Sequence, residues 1–131
     1  MNYPTFRRSP TAAPRIQVDA PKKRDAELGS KWARFASSYI RRNPFCAECQ
    51  RRGVDTPTAL VDHIIPRKKG GSMWDKSNLQ SLCRDCDLGV KRELERLADA
   101  AGDVQLLVDW TAKPETRPGR LAFIATAVES D

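Results

Sequence analysis

Three short stretches decide the fold of this chain: Cys46-Ala-Glu-Cys49, Val61-Asp62-His63-Ile64-Ile65-Pro66 and Asn78-Leu79-Gln80-Ser81-Leu82-Cys83-Arg84-Asp85-Cys86. The first and the third each carry two cysteines separated by two residues, and the chain has no other cysteines. Each pair brings two thiolates onto one tight turn, and two such turns complete the tetrahedral four-sulfur site that zinc prefers. Because such a site has no open coordination position, we expect it to hold the fold and not to catalyse.

Two other states of the cysteines stay open, namely disulfides and a redox-active dithiol. The chain has no apolar run as long as a membrane span, and Met1 to Pro21 lacks the apolar core of a signal peptide. We therefore expect a cytoplasmic protein without a membrane partner. Thiols stay reduced in that compartment, so paired cysteines there bind metal more often than they form disulfides.

Positive charge is concentrated upstream of these motifs. The net charge of the chain is +6, and residues 1–24 hold six cations, one anion and four prolines. This composition predicts a disordered basic arm, which is either an inert solvated tail or a segment that follows a phosphate backbone. A basic surplus favours a polyanionic partner, most often nucleic acid.

The hydrophobic pattern predicts helices and short strands around the quoted stretches. A helix is expected from Ser30, a suitable N-cap, to Arg42, with an aromatic stripe that serves core packing. The other expected elements are strands over 58–65 and 78–82, a helix over 87–101 that stops at Gly102, a short helix capped by Asp103 and a final strand over 121–128.

His63 is the only histidine in the chain. A lone histidine is usually structural or merely exposed, but the neighbours of this one favour chemistry. Asp62 precedes it and points to the opposite face of a strand, and the basic run 67–69 and Gly70-Gly71 follow.

Together, the cysteine pairs, Asp-His-Ile-Ile-Pro, Gly-Gly and Asn-Leu-Gln-Ser-Leu resemble the HNH endonucleases. From Trp32 to Glu95, about half of the chain, the layout is similar to zinc-containing HNH proteins of tailed phages and prophages. The resemblance implies an α+β fold: a small ββα-metal (His-Me finger) domain with flanking helices over 25–102. The basic arm, 1–24, precedes it, and a C-terminal extension, 103–131, packs on it or trails it.

The resemblance also implies a metal-dependent DNA endonuclease. Carried over to this chain, Asp62 would bind the catalytic cation, His63 would be the general base, and Asn78 would brace the loop that bears the histidine. A neutral imidazole can take a proton from water, and a hard cation can neutralise charge on the phosphate. The cation would be Mg²⁺ or Mn²⁺, with Ni²⁺ as an alternative.

Four cations near these motifs are candidates for holding the flanking phosphates of double-stranded DNA. The alternative is that they are only solvated charges in surface turns. They are Arg67, Lys68, Lys69 and Arg84.

Position 87 departs from the family pattern, which has His or Asn there as the second protein ligand. Asp87 is either a working ligand for a hard cation, a sign of a disabled site, or only an anion near a helix N-terminus. A disabled site would leave an HNH scaffold that binds nucleic acid or a phage terminase. A third interpretation of the whole chain is a plain zinc-ribbon interaction domain. The likeness to phage proteins implies a role in DNA packaging together with the terminase.

Overall fold

The computed structural model describes residues 23–126, with side chains from residue 28 onward. The predicted arm lies outside these residues, except that Lys23 and Arg24 begin the first helix. The chain divides into two units, residues 1–31 and 32–131. Of the first unit, the described residues 23–31 are helical, and the site described below lies in the second.

The described residues form helices of 3 to 20 residues and one sheet of two strands. Along the chain these elements are α1 Lys23–Arg42, α2 Ala47–Arg51, β1 Leu60–His63, β2 Leu79–Leu82, α3 Arg84–Cys86, a π-helical turn Asp87–Lys91, α4 Arg92–Ala101 and α5 Gln105–Ala112. Single 3₁₀ turns lie at Arg67–Lys69, Lys76–Asn78, Pro114–Thr116 and Gly119–Leu121. The arrangement confirms the predicted small α+β ββα-metal fold.

The two strands run antiparallel, and their register sets the geometry of the site. Asp62 on β1 lies opposite Gln80 on β2, and His63 lies opposite Leu79. Directly opposed side chains of an antiparallel pair project to the same face, so Asp62 and Gln80 meet.

Two small apolar clusters hold these elements together. The larger joins Ile64, which follows β1, to Leu94 and Ala98 on α4 and to Leu107 and Trp110 on α5. The four-residue spacing of Leu94 and Ala98 places both on one helix face. The smaller cluster consists of Cys46, Leu82 and Cys83, so the cysteine turns pack directly on β2.

Several predicted boundaries were wrong. Helix α1 begins at Lys23 and not at Ser30, because the preceding residues are mostly good helix formers and Gly29 is tolerated. The helix expected from Asp87 begins at Arg84 as α3 and passes through a π-helical turn.

The expected final strand over 121–128 is absent from residues 121–126, and 127–128 lie outside the described residues. This segment makes isolated backbone bonds, from Phe123 to the carbonyl of Pro114 and from Thr126 to the carbonyl of Arg51, and these do not form a ladder. The predicted stop at Gly102 is confirmed, since its φ of 67° is left-handed and suits glycine.

Candidate functional site

The four cysteines converge at one point. The sulfur atoms of Cys46, Cys49, Cys83 and Cys86 all lie within 4.8 Å of one another. Cys49 Sγ is 3.9 Å from Cys83 Sγ and 3.7 Å from Cys86 Sγ. A tetrahedral zinc with Zn–S bonds of about 2.3 Å separates its sulfurs by about 3.8 Å, so the cluster fits that ion. The spacing matches four thiolates on one metal.

Local backbone geometry builds this cluster. Cys46 caps α2, and its sulfur accepts a hydrogen bond from the backbone N–H of Cys49, which bends the first pair into a turn. A hydrogen bond from Cys86 lowers the pKa of Cys46 to about 4, and the same bond and burial raise the pKa of Cys86. A divalent cation bound at this point would let all four sulfurs ionise.

A groove of about 810 Å³ opens beside the sheet, and five of the predicted site residues line it. These are Asp62, His63, Arg67, Lys68 and Asp87, together with Glu95. Carboxylates, an imidazole and two cations therefore face one open space. Within the described residues, the cysteines are the only group of three or more metal-ligating side chains whose ligand atoms lie this close together.

The imidazole of His63 is held from two sides. Its ring stacks on Trp32 with 5.0 Å between centroids, and Nε2 is 3.2 Å from the carbonyl oxygen of Met73. A carbonyl can only accept, so Nε2 carries the proton and donates to it. In the neutral ring this leaves the lone pair on Nδ1, which is the form that accepts a proton from water.

Asp62 is buried, and both of its oxygens are engaged. Gln80 Nε2 donates to Oδ2 at 3.0 Å, and the ammonium of Lys91 lies 3.2 Å from Oδ1 and 3.1 Å from Oδ2. Burial raises the pKa of Asp62, although Lys91 and Gln80 act to lower it. The carboxylate therefore already has a cationic partner within the protein.

Asn78 ties together the loop that follows β1. Its Oδ1 accepts from the backbone N–H of Ile65 at 2.9 Å, and its Nδ2 donates to the carbonyls of Ile65 and Ser72 at 3.0 and 2.9 Å. Gly71 lets the two ends of the loop approach, because a Cβ there would lie 1.8 Å from the carbonyl oxygen of Ile65. Three hydrogen bonds of one side chain therefore hold this loop at Ile65 and at Ser72.

The four candidate phosphate-binding cations are not placed alike. Arg67 and Lys68 line the groove, whereas Lys69 and Arg84 do not. Lys69 is exposed and bonds to Asp99 at 2.6 Å. Arg84 is exposed on α3, beside the cysteine cluster.

A buried polar network connects the cysteine turn to the groove. Glu48, between the first two cysteines, accepts from Arg117 at 2.7 and 2.9 Å and from Arg51 at 2.8 Å. Arg51 donates in turn to Gln80 Oε1 at 2.7 Å, and Gln80 donates to Asp62. Both Glu48 and Arg117 are almost fully buried, at 3% and 4% exposure.

Sequence reasoning missed Lys91, Gln80 and Glu95. Lys91 lies three residues before Leu94 and seven before Ala98, a spacing that places it on the buried face of α4. Gln80 lies between Leu79 and Ser81 on β2, and its pairing with Asp62 follows only from the register of the strands. These spacings were the signals that the sequence offered.

A comparison with protein-family models places part of this chain in a known family. Residues 46–92 match the family model described as HNH endonuclease. This segment runs from the first cysteine to the residue after the π-helical turn, so it includes both cysteine pairs, both strands and most of the groove. No curated protein and no solved structure matches the chain. None of the described helices combines the length and the apolar character needed to cross a membrane.

Proposed function

We propose that this chain, which carries an HNH endonuclease domain at residues 46–92, hydrolyses phosphodiester bonds of DNA with His63 as the general base. The observation that carries the proposal is the bond from His63 Nε2 to the Met73 carbonyl, which leaves Nδ1 to accept a proton. The Trp32 ring fixes the plane of the imidazole. A base held in one tautomer and one orientation can take the proton of an attacking water without rearrangement.

The metal requirements of the two sites differ. The four-sulfur cluster suits zinc in a structural role. Asp62 and Asp87 offer oxygen ligands on the groove, and such ligands suit Mg²⁺ or Mn²⁺. A hard cation bound there would neutralise negative charge on the phosphate. Asp87 is half-buried on the groove, whereas both oxygens of Asp62 already contact the ammonium of Lys91.

The cations on the groove support DNA as the substrate. Arg67 and Lys68 stand on the same groove as His63, where they would hold the phosphates beside the scissile bond. Lys69 and Arg84 would bind phosphates farther away. Truncation of the basic arm tests its part in binding, because the slope of log affinity against log salt falls by about 0.9 for each phosphate that the arm neutralises.

A specific observation favours a second function. The ion pair between Lys91 and Asp62, with Asp87 at the position of the usual histidine, is what a scaffold without cleavage activity would also show. In that case the chain binds nucleic acid, or a terminase during phage DNA packaging, without cutting. The packaging role rests on analogy with the phage proteins alone.

Supercoiled plasmid separates the two functions. The zinc-loaded protein is incubated with plasmid and Mg²⁺, Mn²⁺, Ni²⁺ or EDTA, and nicked and linear products are measured. The nuclease nicks plasmid with a hard cation, and His63→Ala abolishes nicking while DNA binding persists. A wild-type protein that binds DNA but cuts with none of these ions would establish the scaffold function.

Asp87 has a matched control on the same stretch of helix. Asp87→Ala should lose cleavage, and Asp85→Ala should keep it, because Asp85 is exposed and does not line the groove. Asp87→His should keep activity and shift the preference toward Ni²⁺. Full activity in Asp87→Ala would leave Asp87 as a charge near a helix end.

A further inference from the structure

Lys91 has an environment that resembles a cation site more than an ordinary ion pair. Its side chain is buried, at 4% exposure for the residue. The Nζ atom lies 2.6 Å from Glu95 Oε2 and 3.0 Å from the carbonyl oxygen of His63, besides its contacts with both oxygens of Asp62. An ammonium has three donors, and three separate groups here accept from it. Every donor is therefore satisfied by an oxygen of the protein.

The ligand set around Nζ is the kind that a hard divalent cation takes. Two carboxylates and one backbone carbonyl surround a single point, and all three are oxygen donors. Two of the three belong to β1, at Asp62 and at the backbone of His63, next to the imidazole. The ammonium therefore occupies the point at which three oxygen ligands of β1 and α4 converge.

The helix that bears Lys91 is built to deliver it to this point. The residue ends the π-helical turn, and Leu94 and Ala98 continue the same face into the larger apolar cluster. π-helical turns within helices occur frequently at functional sites. Because Leu94 and Ala98 anchor this face, the ammonium cannot leave without a change in its own rotamer or in the turn.

We propose that the ammonium of Lys91 is the resident cation of this site, and that a divalent ion reaches Asp62 only by displacing it. The inference rests on the proposed function for the role of Asp62 and adds Glu95 as a further oxygen ligand. A divalent ion on Asp62 would meet a positive charge only a few ångströms away, and both would compete for the same oxygens. The wild-type chain therefore binds Mg²⁺ or Mn²⁺ weakly at Asp62, and Lys91 sets that affinity.

Mn²⁺ binding to the zinc-loaded full chain tests this without reference to cleavage. Electron paramagnetic resonance counts free Mn²⁺ during a titration of wild type, Lys91→Met and Lys91→Met with Asp62→Asn. We expect weak binding to wild type, binding at least about tenfold tighter to Lys91→Met because a repelling charge is removed, and loss of that gain in the double variant. Lys113→Met is the matched control, since Lys113 is exposed and lies off the groove.

Two results overturn the proposal. One is tight binding of Mn²⁺ to wild type that Asp62→Asn removes, since the ion would then coexist with Lys91. The other is unchanged affinity in Lys91→Met when circular dichroism shows it folded. If Lys91→Met does not fold, Lys91→Gln takes its place, because an amide still donates to one carboxylate without the charge. A protein that never cleaves plasmid but gains Mn²⁺ binding on loss of Lys91 would refute the proposed function and uphold this inference.

Discussion

Replacement of Glu48 by Gln tests how far the buried network stabilises the domain. The substitution keeps the size of the side chain and one acceptor oxygen but removes the negative charge. Arg117, itself 4% exposed, is then deprived of the carboxylate that takes both of its terminal nitrogens, and Arg51 is deprived of its partner at 2.8 Å. Removal of one member of a buried ion pair costs about 3–5 kcal/mol, because the other charge stays buried without compensation.

Such a cost is large against the total stability of a domain, which is about 5–15 kcal/mol. At about 4–8 °C for each kcal/mol in a domain of this size, Glu48→Gln should melt at least about 12 °C below wild type. Thermal unfolding followed by circular dichroism, with zinc present in excess, measures the shift. Glu93→Gln is the control, because Glu93 pairs with the exposed Arg96. The melting temperature of this variant should stay close to that of wild type. Equal melting temperatures for the two variants would refute the reasoning.

Three further predictions concern the cysteine cluster and the loop after β1. Purified protein should contain one zinc per chain by elemental analysis. Cys46→Ser should not fold, because the binding of structural zinc contributes about 10–16 kcal/mol in small domains. A chelator-stripped protein that keeps its melting transition would contradict this. Gly71→Ala should abolish cleavage and shift the imidazole resonances of the histidine in NMR spectra, because its Cβ would lie 1.8 Å from the Ile65 carbonyl oxygen. Gly70→Ala meets no atom within 4 Å and should lose only about 1 kcal/mol to backbone strain; similar spectra for both glycine variants would count against the steric argument. Asn78→Ala removes three loop bonds and should lower kcat more than DNA affinity in a nicking assay, whereas an unchanged kcat would exclude a bracing role.

The sequence predicted best what depends on short spacing. Two cysteines separated by two residues fold into a turn on local geometry alone, so the four-sulfur cluster could be predicted from Cys46 to Cys86 without knowledge of the fold. The adjacency of Asp62 and His63 on one strand is local in the same way. Element ends were less accurate, as at Ser30, because good helix formers upstream extended α1 beyond the expected cap.

Contacts that depend on distant parts of the chain could not be predicted. Glu48 and Arg117 are 69 positions apart, and nothing in either neighbourhood indicates the other. Helical spacing could have predicted that Lys91 lies on a buried helix face. Its pairing with Asp62 could not be predicted, because it depends on how the helix packs against β1. The strand predicted over 121–128 is absent from residues 121–126. The apolar run predicted a buried strand, but Ile124 is 85% exposed and Phe123 is only half-buried, with the Arg52 guanidinium 4.0 Å from its ring centroid.

The bond between Glu48 and Arg117 has a consequence for anyone who transplants this domain into another protein. Similarity to the family ends at residue 92, which invites a cut soon after α4. A chimera joined there would keep Glu48 but lose Arg117, which donates two hydrogen bonds to its carboxylate. Glu48 also accepts from Arg51, and Arg51 bonds to Gln80, the partner of Asp62 on the groove. The smallest segment to transfer therefore extends to Thr126, whose backbone N–H donates to the carbonyl of Arg51. This end lies well beyond residue 92, where the match to the family model stops.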